Sequence, residues 1–291
     1  MENSGTLFIV ATPIGNVADL SRRAEEVLAG VQLIACEDTR RTGNLLQLAG
    51  AAVGAEQASP RPRLLACHEH NEEEVAEYLL AQLAAGVDIA LVSDAGTPLV
   101  SDPGFRLVRQ AHARGIRVRP VPGASAVQAL LSVCPLPAER FHFEGFLPAR
   151  AGKRRSRLEQ LLAGNDLAVL FEAPHRIIET LDEVADLAPE RRVFLGREIT
   201  KKYECFYHGT AAEVAAELTE TDAVRGEFAL CVEGGAGAAG GGFDEARLRR
   251  ALATLGDLVG PSKAAKVLAQ LTGRTRSELY ALVAKGTDGT A

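Results

Sequence analysis

No apolar stretch of this 291-residue chain approaches the roughly 20 residues that a membrane-spanning helix requires. The opening residues, Met1 to Leu7 (MENSGTL), have neither a basic start nor a hydrophobic segment, so no secretory leader is read there. A cytoplasmic protein without a membrane partner is expected. Cysteine is sparse: Cys36, Cys67, Cys134, Cys205 and Cys231 are odd in number and widely scattered. That pattern excludes a disulfide framework and fits small buried thiols in a reducing compartment. His68 and His70 flank Glu69, but no third ligand follows at a usual spacing, so no metal site is read. Two nucleotide signatures are also missing from the loop after the first strand, Ala11–Ala24. It has neither the glycines of G-x-G-x-x-G nor a Gly-Lys-Ser/Thr ending. Hydride transfer and ATP-driven chemistry lose their expected motifs.

What is present is a chain rich enough in apolar residues, at 47%, to build real cores. The net charge of −6 argues against nucleic acid until its distribution is considered. From Phe243 onward the chain carries +3, leaving −9 on the rest. Arg150, Lys153, Arg154, Arg155 and Arg157 also crowd together with no acid before Glu159. Such runs are usually solvated faces, and they favour RNA contact only weakly.

The first half alternates strand and helix. Apolar runs at Leu7–Ala11, Val31–Cys36, Leu64–Cys67, Ile89–Ser93 and Val118–Val121 are separated by helical patterns such as Glu72–Leu83 and Ala124–Val133. This predicts an α/β domain over 1–134, with a mostly parallel sheet covered on both faces. Pro135 and Pro137 break the pattern. A second α/β domain is expected over 135–233, beginning near Phe141, with strands at Leu167–Phe171, Arg192–Leu195 and Phe228–Val232. A glycine-rich linker over 234–242 leads to a helical module over 243–291. There Ser262 and Ser277 are plausible helix caps and Gly273 a helix end.

The chemistry gathers in loops that follow strands. SDAGTPLVSDPG, from Ser93 to Gly104, packs two Asp, two Gly and two Pro into one strand-to-helix connection. Asp94 offers a carboxylate there, and Gly96 lets backbone approach a ligand. Pro13, Gly15 and Asn16 bend the chain after the first strand. Glu37, Asp38, Arg40 and Arg41 put acids and bases at the end of the second, where Arg can grip phosphate and a carboxylate can take a proton. Ser125 and Ala126 follow the fifth strand at a helix amino terminus. FEAPHR (Phe171 to Arg176) and GREITKK (Gly196 to Lys202) repeat the arrangement in the second half, and Arg176, Arg197, Lys201 and Lys202 carry charges suited to phosphate. Each loop alone is an ordinary turn. Their convergence on a sheet edge points to a cleft.

The set ATPIGN, EDTRRTG, SDAGTPLVSDPG, VPGASAV, FEGFLP, FEAPHRI, GREITKKYE and GEFALCVEG resembles the tetrapyrrole methylase superfamily of class III S-adenosylmethionine-dependent methyltransferases. Within it, the chain is most similar to the branch that modifies small-subunit ribosomal RNA. The resemblance runs from Leu7 to about Lys285. It implies two α/β domains with S-adenosylmethionine in the cleft between them, usually in a homodimer. It implies methylation of the ribose 2′-oxygen of a cytidine in the decoding region of 16S rRNA, presented as RNA or as the small ribosomal subunit. By the same resemblance, cofactor contacts fall on Pro13, Asp94, Gly96, Thr97, Ser125, Ala126, Phe171, Glu172, Ala173, Glu227 and Phe228. RNA contacts are expected from Arg40, His175, Arg176, Arg197 and Lys201, with Glu37 or Asp38 as proton acceptor. A methylase of a small tetrapyrrole is the alternative enzyme; it has no obvious use for the basic tail. A non-catalytic nucleic-acid-binding protein is the alternative class, and it leaves the convergent loops unexplained.

Overall fold

The computed structural model describes residues 4–53, 62–68, 71–235, 245–272 and 275–279. Among them the chain forms two five-stranded sheets with helices between the strands. The first comprises β1 (Thr6–Val10), β2 (Leu33–Cys36), β3 (Arg63–Ala66), β4 (Ile89–Val92) and β5 (Arg117–Val121), in the order β3-β2-β4-β1-β5 and parallel throughout. Its central strands β2 and β4 are apolar at every position because both faces are covered. In β4, Ile89 and Leu91 enter one core with α3 (Glu72–Ala84) and α4 (Phe105–Ala113). Ala90 and Val92 enter the other with α1 (Arg22–Gly30) and α2 (Thr39–Val53). β1 and β4 are neighbours, yet the chain leaves β1 toward β2 and leaves β4 toward β5. The two connections cross, with α1 on one face of the sheet and α4 on the other, and adjacent parallel strands whose loops leave to opposite faces open a crevice at their carboxyl ends.

After α5 (Ala126–Val133), the second sheet comprises β6 (Phe141–Phe146), β7 (Leu167–Glu172), β8 (Arg192–Arg197), β9 (Cys205–Thr210) and β10 (Phe228–Val232), in the order β6-β7-β10-β8-β9. Only β6 and β7 pair in parallel; the remaining pairs are antiparallel. The carboxyl ends of β6, β7 and β8 therefore share one edge with the amino end of β10. Phe228 pairs with both Glu172 and Arg197, while Phe146 pairs with Phe171. One face packs on α5, Leu136 and Ile14. Toward the other side, α8 (Ala211–Glu220) packs on β8 and β9, and α7 (Ile177–Leu187) on α8. β9 is an addition to the strands expected. It is an edge strand of mixed polarity (CFYHGT), anchored where Phe206 stacks on Phe194 at 5.6 Å.

Both sheets belong to one compact unit, Met1–Leu158 with Leu167–Glu233; the second unit is Glu159–Asp166 with Gly234–Ala291. In the latter, α9 (Glu245–Val259) and α10 (Pro261–Thr272) share a small core of Leu248, Leu252, Ala265, Leu268 and Leu279. Two cap expectations are corrected. Pro261 is itself the first residue of α10, so Ser262 lies inside the helix; proline suits that position because its missing N–H needs no partner there. The helix that begins at 276 is capped by Thr275, not Ser277. The Thr275 Oγ1 accepts from Glu278 N at 3.3 Å, and Glu278 Oε2 accepts from Thr275 N at 2.7 Å. Glu69, His70, Gly273, Tyr280, Val283 and the linker from 236 to 242 lie outside the described residues.

The basic run after Arg150 is only in part the solvated face its composition suggested: Arg150, Lys153 and Arg155 are exposed, whereas Arg154 and Arg157 are not. It forms α6 (Ala151–Leu162), in which Arg154 is 2% exposed and donates to Glu183 Oε1 and Oε2 at 2.9 and 3.1 Å. Arg157 clamps Glu144 with two bonds of 2.6 Å, and Arg155 pairs with Asp186 at 3.6 Å. Removing one partner of a buried pair strands the other charge at a cost of about 3–5 kcal/mol. Arg154→Met is thus expected to lose about that much stability, since Glu183 remains 13% exposed. Urea unfolding measures it; a loss under about 1 kcal/mol would mark the pair as no stronger than a surface one.

Candidate active site

The two ligand edges meet around a cavity of about 330 Å³. From the first sheet it is lined by Ile14, by Ala95–Thr97 with Val100, and by Ser125–Val127. The second sheet contributes Phe146, Phe171–Pro174, Ile199 and Gly226–Ala229. The loop after β1 and the loop after β4 are locked by a reciprocal pair of backbone bonds. Thr12 N donates to Gly96 O at 2.8 Å and Gly96 N to Thr12 O at 3.0 Å. The buried Thr12 hydroxyl adds a bond to Ser93 O at 3.1 Å. This bridge needs Gly96 at φ +84°, a conformation that costs any side chain strain. The Thr97 hydroxyl then donates to Ala124 O at 3.3 Å, joining a third loop.

Two further features give the cavity its chemistry. Ser125 occupies the N-cap of α5 without capping it through its side chain. The helix amino terminus therefore brings N–H donors to the wall, with a hydroxyl beside them. Opposite in sequence, Glu172 is buried, yet its carboxylate is fully engaged by Ala173 N (2.8 Å), Arg176 Nε (2.7 Å) and the Thr180 hydroxyl (2.8 Å). It braces the β7 loop.

Of the eleven residues expected at the cofactor, Gly96, Thr97, Ser125, Ala126, Phe171, Glu172, Ala173, Glu227 and Phe228 line this cavity, whereas Pro13 and Asp94 do not. Asp94 turns toward the loop after β2. It accepts from Asp38 N at 3.1 Å and pairs with Arg41 at 3.4 Å. Asp38 in turn accepts from Arg40 N at 2.8 Å at the start of α2 and pairs with the Arg40 guanidinium at 3.2 Å. That side chain holds the Asp38 carboxyl below its usual range. The cations expected at RNA are divided. Arg40 and His175 are exposed. Arg176 is committed to Glu172 and to Leu147 O, and Arg197 Nε to Arg225 O. Lys201 bridges Glu198 at 2.8 Å and Glu227 at 3.0 Å, with its stem packed over Gly15.

The apolar walls Ile14, Val100 and Ile199 stand in loops and carry no periodic signal in the sequence, while Val127 in α5 and Phe146 in β6 look there like ordinary core positions. Nor does the sequence single out Asp102. Burial pushes this carboxyl up to about 6, against a bond with Ser93, and the nearby charges of Glu37 and Asp94 add to the rise. In the unfolded chain Asp102 ionises near its ordinary value, so the stability it contributes is full at low pH and is lost as pH rises toward about 6. Asp102→Asn cannot ionise. Its thermal midpoint relative to the parent is expected to climb between about pH 4 and 6 and then level off. An offset that is constant across that range would show that Asp102 ionises as freely folded as unfolded.

Comparison with known proteins agrees with this geometry. Residues 6–215 match the model of the tetrapyrrole (corrin/porphyrin) methylases. Ribosomal RNA small subunit methyltransferase I of Xylella fastidiosa is 47% identical over 282 residues, 96% of this chain and 99% of that protein. The protein of the same name from Pseudomonas aeruginosa is 44% identical over 96% of both chains. Among solved structures, uroporphyrin-III C-methyl transferase from Thermus thermophilus complexed with S-adenyl homocysteine shares the fold at 19% identity. Its TM-score is 0.54, over 79% of this chain and 97% of that one. A diphthine synthase matches at 16% identity and a TM-score of 0.55, covering 79% of this chain and 90% of that one. The chain belongs to the tetrapyrrole methylase family and, within it, to the group of ribosomal RNA small subunit methyltransferase I proteins.

Proposed function

We propose that this chain transfers a methyl group from S-adenosylmethionine to the ribose 2′-oxygen of a cytidine in the decoding region of 16S rRNA. The working form in this reading is a cytoplasmic homodimer acting on the RNA or on the small ribosomal subunit. The observation that carries the reading is the cavity itself, where loops from both sheets meet in a chain nearly half identical to proteins named as small-subunit ribosomal RNA methyltransferases.

The residues present fit the donor. Ile14, Val127, Phe171, Ile199 and Phe228 offer apolar walls for a nucleoside and a thioether chain, and the open start of α5 offers N–H groups to a carboxylate. When bound, the donor supplies a methyl carbon on a positively charged sulfur, so transfer to oxygen is downhill. The chain's task is alignment, which can supply about 7–11 kcal/mol of the barrier, together with exclusion of water and help with one proton. In this reading Glu37 or Asp38 takes that proton; the Asp38 carboxylate also holds the start of α2 and pairs with Arg40. For phosphate, Arg40 is 88% exposed and its pair with Asp38 is a weak surface one that RNA can displace. Arg249, Arg250, Lys263 and Lys266 lie exposed on α9 and α10 and suit steering of the polyanion.

Calorimetric titration with S-adenosylmethionine tests the donor, and labelled methyl transfer to small subunits lacking the modification tests the acceptor. Mass mapping then places the label on a ribose; label in a porphyrinogen and none in RNA would favour the small-molecule alternative. Gly96→Ala tests the site. Forcing a side chain into the left-handed region costs about 1–2 kcal/mol, so donor affinity is expected to fall about tenfold as the loop relaxes. Unchanged affinity in a folded variant would place the donor elsewhere.

A further inference from the structure

Resting on that functional reading, we propose that Phe146, with Val100 beside it, is a stacking platform for the nucleobase of the target nucleotide. Phe143 and Phe146 are three residues apart, a spacing that puts side chains on opposite faces of a regular strand. Here both rings meet Phe171, with centroids 5.0 and 5.7 Å away. The reason is a β-bulge: the register against β7 shifts between Phe143 and Gly145. Gly145 takes φ +73°, and a Cβ there would stand 2.9 Å from the Ser101 hydroxyl oxygen, so the bulge sits against the loop after β4. Bulges next to ligand sites re-aim side chains, and this one turns Phe146 into the cavity wall.

The outcome is not burial. Phe146 stays 58% exposed and Val100 41%, although both line the cavity. Two apolar groups thus stand open to solvent at its mouth, one from each sheet. The interior, at about 330 Å³, lies at the low end for ligand pockets and has room for one reactant. With the methyl donor inside, the acceptor nucleotide meets it from the mouth. A ribose held at the donor keeps its base one glycosidic bond away, within reach of the lip. A base drawn out of its RNA stack loses its neighbours, and a flat aromatic face replaces them without regard to hydrogen-bond pattern.

The test uses the full-length chain and small ribosomal subunits lacking the modification. Phe146→Ala is expected to raise KM for subunits about tenfold or more, while the Kd for S-adenosylmethionine stays within about twofold. Phe146→Trp keeps a flat ring and should restore KM; Phe146→Leu keeps the apolar bulk and should not. Because the side chain is exposed, unfolding is not expected, and thermal melts of the variants check this. An unchanged KM for subunits in Phe146→Ala overturns the proposal. So does a weakened Kd for S-adenosylmethionine with an unchanged KM for RNA, which would make the ring a support for the donor's own adenine. A parent protein that neither binds the donor nor labels subunits would overturn the functional reading beneath it, a separate and distinguishable failure.

Discussion

The reciprocal backbone bridge between Thr12 and Gly96 is the constraint on which the site depends. β1 and β4 are neighbours whose loops leave toward opposite faces of the sheet, to α1 on one side and α4 on the other. Two short backbone bonds and the Thr12 hydroxyl tie them at the edge of the sheet. The tie is possible only because residue 96 has no side chain to resist a positive φ. From that point the wall extends by short steps: Thr97 to Ala124, then Ser125 and the start of α5, then α5 onto the face of the second sheet. The second sheet delivers its own edge because β10 runs against β7 and β8. The start of one strand and the ends of two others thereby line one cavity.

Charge in this molecule works mainly as bracing. Glu172, Arg176 and Thr180 hold the β7 loop; Lys201 with Glu198 and Glu227 holds the β8 loop; Arg154 and Arg157 fasten α6. A buried carboxylate with three donors costs little, whereas a free one would be prohibitive. The consequence for function is a cavity whose walls are apolar while exposed cations stand outside it. Such a division suits a reaction in which a small charged donor must be aligned and shielded while a polyanion is met at the rim.

Much of the fold was legible because parallel strands buried on both faces spell near-continuous apolar runs. Ile89–Val92 and its loop to Gly104 read as strand, turn and helix, and so they are. β9 was not legible, since an edge strand of mixed polarity has no such run. The cavity residues carried by motif resemblance were largely placed at the cavity, but side-chain direction was beyond the sequence. Asp94 faces Arg41 and the start of α2, away from the cavity. Within the basic run at Arg150–Arg157, the burial of Arg154 was not legible because its partner lies far along the chain: Glu183 is 29 residues away. Phe146 was invisible for a related reason, as a bulge is a property of pairing that a single strand does not display.

The central claim is that one donor is held jointly by both sheets, and amide hydrogen exchange with and without S-adenosylhomocysteine tests it most directly. The account predicts slowed exchange at Gly96 and Thr97, at Ala126 and Val127, and at Ala173 and Phe228, together and at one ligand concentration. Protection confined to one sheet, or centred on Asp38 to Arg41 with the walls of the cavity unaffected, would contradict it.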